Sequence, residues 1–258
     1  MAPGTTANRS STLFIGTAGW AIPASVREAF PREGTALERY AGVMRCAEVN
    51  SSFHRPHRRT TWERWADSVP EDFRFSVKIP RSISHVRRLV GAEAQLDRFI
   101  AEVSGLGNRL AILLLQLPPS LEFDPEGVAA FVATTRSLTD VPLVIEPRHA
   151  TWVEPAADAL LAELKIARVA ADPARVSAAA EPGGWRGLAY FRLHGSPVIY
   201  RSGYDDERLR AYAALLAQAV EAGRTTWCIF DNTASSAALG DALTLTQYMD
   251  GTFTRMVG

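Results

Sequence analysis

Cysteine is almost absent from this 258-residue chain: there are two, Cys46 and Cys228, with no ligand-type spacing between them. So low a count excludes a disulfide-dense scaffold and a cysteine-built zinc site. Two buried thiols in a reducing cytosol are the expectation, with a single Cys46–Cys228 bridge left open. Net charge is missing too, because 28 Lys and Arg are matched by 28 Asp and Glu. That balance argues against a dedicated polyanion binder while leaving room for a local basic patch. Long apolar runs are lacking. The longest aliphatic stretch, Ile112 to Leu115, is far too short to span a bilayer. No membrane partner is expected, and a cytoplasmic location is. Internal repeats, low-complexity blocks and a Pro/Gly-rich linker are also absent. Residues 1–12 are small and polar with no apolar core, so they read as a disordered tail rather than a signal peptide.

What is present is a regular alternation of short apolar runs and helical stripes. Strands are predicted at Leu13–Thr17, Arg45–Asn50, Phe73–Lys78, Leu110–Gln116, Pro142–Arg148, Ala167–Asp172, Leu188–His194 and Thr226–Asp231. Between them the 3.6-residue spacing predicts helices over Thr35–Val43, Thr60–Ala66, Ala92–Val103, Pro125–Ser137, Pro155–Leu164 and Asp206–Ala222. A last helix is predicted with Ser235 as its N-cap. Residues 173–187 read as a loop with one turn of helix. This βα order implies a parallel sheet. Eight repeats in one domain-sized chain favour an α/β fold closed as a single TIM-like (β/α)8 barrel over residues 13–250, with an open doubly wound sheet as the alternative.

The strand ends carry the chemistry. In LAYFRLHG, alternation puts Tyr190, Arg192 and His194 on one face and Phe191 and Leu193 on the other. Other strands end on or next to Glu48 and Asn50, Lys78, Gln116, Glu146 and Arg148, Asp172, and Asp231 followed by Asn232. In an α/β barrel these ends meet at one mouth. Glu48, Glu146, Asp231 and His194 are therefore the candidate acid–base groups. Asn50, Lys78, His85, Gln116, Arg148, Asp172, Arg192, Tyr204 and Asn232 are the candidate substrate-binding groups. Each also has a plainer account: Glu48 paired with Arg192, Glu146 paired with Arg148, and aspartates that cap turns. Pro147 cannot donate to a sheet ladder, so its strand should end or bulge there. A divalent metal on the carboxylates stays open. However, no HxxxH, HxH or CxxC spacing fixes a ligand pair, and no cofactor is expected.

Two loops are locally basic, residues 54–59 (HRPHRR) and 81–88 (RSISHVRR). As successive βα loops they should sit side by side on the rim. They would suit an anionic ligand, whether a small molecule or a nucleic-acid backbone. Aromatic residues such as Trp20, Phe53, Trp62 and Trp152 fall near the same loops. The helix start near Ser235 is a further expected phosphate pocket.

GTAGW, AEVNSSFHR, FSVKIPRSISH, LLLQLPPS, EPRHATW, RLHG and FDNTASSAA follow one another here in an order that resembles the YecE-like proteins, domain of unknown function 72. The resemblance runs from about Leu13 to Leu245, and the joint order of the motifs is specific. It implies a TIM-like barrel and no settled activity. Its polar motif positions fall on Glu48, Asn50, Lys78, His85, Gln116, Glu146, Arg148, Asp172, Arg192, His194, Asp231 and Asn232. The chain departs from the pattern at Ala21-Ile22-Pro23 and at His54, both rim positions. Three functions follow as expectations. The first is an enzyme, a hydrolase or isomerase, acting on an anionic phosphoester, acidic sugar or nucleic-acid phosphodiester. The second is a non-catalytic nucleic-acid binder using the basic loops. The third is a scaffold with an internal ion-pair ring.

Overall fold

Short runs of β-branched and aliphatic residues, each cut off by Gly, Pro or a polar residue, fold as a ring of strands. The computed structural model describes residues 12–257. Apart from Thr12, the tail expected over residues 1–12 lies outside them. The strands are β1 (Leu13–Ala18), β2 (Cys46–Val49), β3 (Arg74–Lys78), β4 (Leu110–Gln116), β5 (Leu143–Glu146), β6 (Ala167–Arg168), β7 (Ala170–Asp172), β8 (Gly183–Gly184), β9 (Leu188–Leu193) and β10 (Thr225–Phe230). The helices are α1 (Ala36–Ala41), α2 (Ser51–His54), α3 (Arg59–Asp67), α4 (Glu93–Val103), α5 (Pro125–Leu138), α6 (Pro155–Glu163), α7 (Asp206–Glu221) and α8 (Ala238–Val257).

The strand order is β7-β9-β10-β1-β2-β3-β4-β5-β6-β8, parallel throughout except for the β6–β8 pair. β6 pairs with β5 and β7 pairs with β9, and only Val169 separates β6 from β7. The sheet thus returns on itself through residues 167–172 and forms a nearly closed barrel. The predicted sixth strand is this closing segment, divided between two partners. The antiparallel β8 falls inside the stretch expected to be loop. Its two glycines carry no side-chain pattern to read.

Local signals explain most boundaries. Thr35 caps α1 in a capping box with Glu38, and Asp124 and Asp205 cap α5 and α7. β5 stops at Glu146, immediately before Pro147, as proline requires. Ser235 does not cap the last helix. Its Oγ donates to the Arg201 carbonyl, and the helix begins at Ala238. Gly16 lets β1 and β2 approach closely: a Cβ at that position would lie 2.3 Å from the Cys46 carbonyl oxygen.

Two apolar layers result. Outward side chains of the strands pack under the helices, and a separate inner cluster including Phe14, Cys46, Ile112, Leu114, Val144 and Trp227 fills the lower barrel. Cys46 and Cys228 are both free and buried. Among the described residues no helix is long and apolar enough to cross a membrane.

Candidate functional site

Alternation along the strands converts the inner face from apolar to polar within two residues. On β2 it passes from Cys46 to Glu48, on β4 from Leu114 to Gln116, and on β5 from Val144 to Glu146. On β9 it passes from Leu188 and Tyr190 to Arg192, and on β10 from Ile229 to Asp231 just past the strand. The register keeps these positions level, with Glu48 opposite Ser76 and Gln116 opposite Glu146.

Arg192, fully buried, is the hub. Its Nε and Nη2 donate to the two oxygens of Glu48 at 3.0 and 2.6 Å, a bidentate pair. Nη1 donates to Glu146 Oε2 at 2.5 Å, and Nη2 also donates to Asp231 Oδ2 at 3.0 Å. Burial alone would favour the neutral arginine, but the three carboxylates reverse it and hold the pKa well above the usual value. Arg192 is thereby spent on internal carboxylates and is not a free clamp for an external anion, contrary to the sequence expectation.

The groups around this hub are also paired. Glu146 accepts from Gln116 Nε2 at 3.0 Å and from Arg148 Nη2 at 3.1 Å. Burial pushes Glu146 up, but Arg192, His194 and Arg148 outweigh it and hold the carboxyl well below its usual range. Tyr190 Oη lies 2.8 Å from both Glu48 Oε2 and Ser76 Oγ. Its one proton serves the carboxylate, and the Ser76 hydroxyl supplies the other bond. Tyr190 and Ser76 belong to the ring although neither was a candidate. Same-face alternation with Arg192 and Lys78 was the signal for both.

His194 sits between two acids. Its Nδ1 is 3.1 Å from Asp231 Oδ2, and its Nε2 is 3.4 Å from Glu146 Oε1 without hydrogen-bond alignment. Burial disfavours the imidazolium, yet the Asp231 and Glu146 carboxylates more than offset that and raise the pKa. Asp231 is lowered in turn, burial being outweighed by Arg192 and then His194. Asn50 Nδ2 donates to the other Asp231 oxygen at 3.3 Å.

Lys78 differs from its neighbours. Its Nζ has no carboxylate within salt-bridge distance among the described residues, and it stands 4.1 Å from the centroid of the Phe53 ring. Burial, then the Arg192 charge, pulls its pKa down to about 8. Beside it a π-helical turn, Ser82–Val86, carries His85, whose Nδ1 is 2.9 Å from Ser84 Oγ. Partial burial and the cations Lys78, Arg81 and Arg148 press His85 down to about 4, so it is neutral at pH 7.

Three candidates fall outside the ring. Asp172 faces outward, in register with Leu193, and its carboxylate takes Arg208 Nη2 of α7 at 2.5 Å. Ala171 is the residue level with Arg192, so period-two alternation turns Asp172 away. Tyr204 is a buried anchor: its hydroxyl accepts from Gly195 N at 2.9 Å and lies 3.2 Å from the Asp172 carbonyl. Asn232 Nδ2 donates to Asp241 Oδ2 at 2.7 Å and to the Ser202 carbonyl. Tyr204 and Asn232 thus fasten the loop after β9. Among the described residues no group of three or more His, Cys, Asp and Glu is placed to hold a metal ion. The ring carboxylates turn to Arg192 instead.

Comparison with known proteins agrees with this architecture. A family model described as "Protein of unknown function DUF72" matches residues 14–256. The UPF0759 protein YunF of Bacillus subtilis is 26% identical over 149 residues, 55% of this chain and 53% of that protein. The UPF0759 protein YecE of Escherichia coli K12 is 31% identical over 118 residues, 46% of this chain and 41% of that protein. The chain thus spans about half the length of the curated relatives it matches. A DUF72 protein of Thermotoga maritima superposes with TM-score 0.75 at 22% identity, covering 93% of this chain and 99% of that one. One of Enterococcus faecalis superposes with TM-score 0.75 at 19% identity, covering 93% and 98%. The chain belongs to the DUF72 family.

Proposed function

We propose that this DUF72 protein is an enzyme that binds an anionic substrate at the C-terminal mouth of the barrel and moves a proton within it. One observation carries the reading: Lys78 is a largely buried cation with no anion within salt-bridge distance among the described residues, beside a ring whose other charges are paired. Burying an unpaired charge is costly, and that cost falls when a ligand supplies the counter-charge. Lys78 and the partly exposed Arg148 would hold the anion by charge-assisted hydrogen bonds. His194, aligned by Asp231, would be the acid–base group, with Glu146 beside its Nε2. Arg192 would position the carboxylates without touching substrate. A phosphoester, an acidic sugar or a nucleic-acid phosphodiester fits this chemistry equally.

The scaffold reading draws on the same ring, since Arg192 neutralises Glu48, Glu146 and Asp231 internally. Lys78 separates the two readings, because a purely structural ring has no use for an unpaired ammonium.

The test is a thermal-shift and calorimetric screen of phosphate esters and uronic acids against wild type and Lys78→Met. At least one class should stabilise the wild type and not the variant. Its binding should weaken as pH rises through about 8, where the Lys78 ammonium is lost. Equal shifts in both proteins, or none in either, would rule the reading out.

A further inference from the structure

We propose that the cavity between the loops after β2 and β3 is a second binding site, one that takes the phosphate ester of a flat heterocycle. It goes beyond the acid–base chemistry proposed for the mouth and needs none of those residues. The cavity has a volume of about 710 Å³, well within the ~300–1,000 Å³ common for small-molecule sites. Its walls come from both basic loops together with α3 and α4, so the two loops do lie side by side. Ser52, in its wall, donates from Oγ to the Lys78 carbonyl at 2.7 Å, and Phe53 presents its ring to Lys78 Nζ while also lining the cavity. The site is therefore a neighbour of the mouth, divided from it by Phe53.

Charge defines one end of the ligand. Arg55 and Arg81 line the cavity, and neither guanidinium has a hydrogen bond or ion pair among the described residues. The one carboxylate in the wall, Glu102, is already bound by Arg98 at 3.0 Å. His57 is biased toward its neutral form, because burial, then Arg55, lowers its pKa, and its Nε2 is 2.8 Å from Ser51 Oγ. Two arginines that line one space and are unpaired among the described residues match a phosphate better than a single carboxylate.

Polarity defines the other end. Phe53, Phe99 and Trp62 supply apolar wall. Trp62 is 1% exposed, and its indole N–H has no acceptor among the described residues. That donor is itself enclosed, so Trp62 serves the cavity as apolar wall, and the polar groups an occupant meets come from its neighbours. Gln95 and Ser82 add further polar partners. A flat ring bearing acceptors, joined to a phosphate, meets all of these demands, and nucleoside 5′-monophosphates are the test compounds.

The experiment is calorimetric titration of the full chain with AMP, GMP, CMP and UMP, and with inorganic phosphate and adenosine as the two halves. A short single-stranded oligonucleotide distinguishes a nucleotide within a strand from a free one. At least one mononucleotide should bind at one site per chain, more tightly than either half. Arg55→Ala/Arg81→Ala should weaken it by about ten-fold or more. His194→Gln should leave it within about two-fold, since that residue belongs to the mouth. Absence of binding by all four nucleotides would overturn the site, as would equal affinity in the double-arginine variant. Loss of binding in His194→Gln with retention in the double variant would relocate the ligand to the mouth.

Discussion

The lower and upper halves of the barrel interior are built from the same strands, on the same face, two residues apart, and they obey opposite rules. Below, Cys46, Leu114, Val144 and Ile229 fill space and ask nothing of direction. Above, Glu48, Gln116, Glu146 and Asp231 are buried too, yet each is held by a directed bond. A hydrophobic layer tolerates shape errors at graded cost, whereas a buried ionic ring fails when one member is withdrawn. Four substitutions sharpen that contrast.

Arg192→Met should have the largest effect, on the order of 3–5 kcal/mol, because it strands buried carboxylates. Chemical denaturation measures it, and the cost should depend on pH. Glu146 and Asp231 have lowered native pKa values, so their contribution is full above about 4.5 and is lost as pH falls through the native values. Wild type and variant should therefore converge in acid. A gap that stays constant down to pH 3 would contradict the ring as drawn.

Leu114→Ala, in the lower half, should cost about 2–5 kcal/mol, and the same at every pH. Tyr190→Phe should cost about 1.5–3 kcal/mol, since it deletes the hydroxyl that serves buried Glu48. Arg208→Ala should be the mildest. The pair it breaks with Asp172 lies on the outer wall with Arg208 36% exposed, and exposed pairs contribute about 1 kcal/mol or less. A larger loss there than in Tyr190→Phe would invert the order of the two faces.

Much of this was legible beforehand because alternation is strict in short parallel strands. It placed Glu48, Glu146, Arg192 and Asp231 together, and Pro147 marked the end of β5. Their partners were harder to read. Arg192 looked like a ligand clamp because sequence shows its charge and not that three carboxylates exhaust it. Asp172 misled because a strand end was taken as inward-facing without counting parity from Ala171. Tyr204 and Asn232 are loop anchors because of the path of the chain after β9, which periodicity does not encode. The basic side cavity depends on the π-helical turn at Ser82–Val86, for which SISHV carries no periodic signal.

The divided closing segment gives the ring a mechanical side. β5 and β9 share no backbone ladder; residues 167–172 stitch them with two short ladders. The Arg192–Glu146 contact bridges that seam directly, from β9 to β5. Charge therefore acts as a clasp where the wall is thinnest. Whatever draws Glu146 away from Arg192 also unfastens the cylinder, and amide exchange at Val169, which donates to the Ile145 carbonyl, is where the loosening would register first.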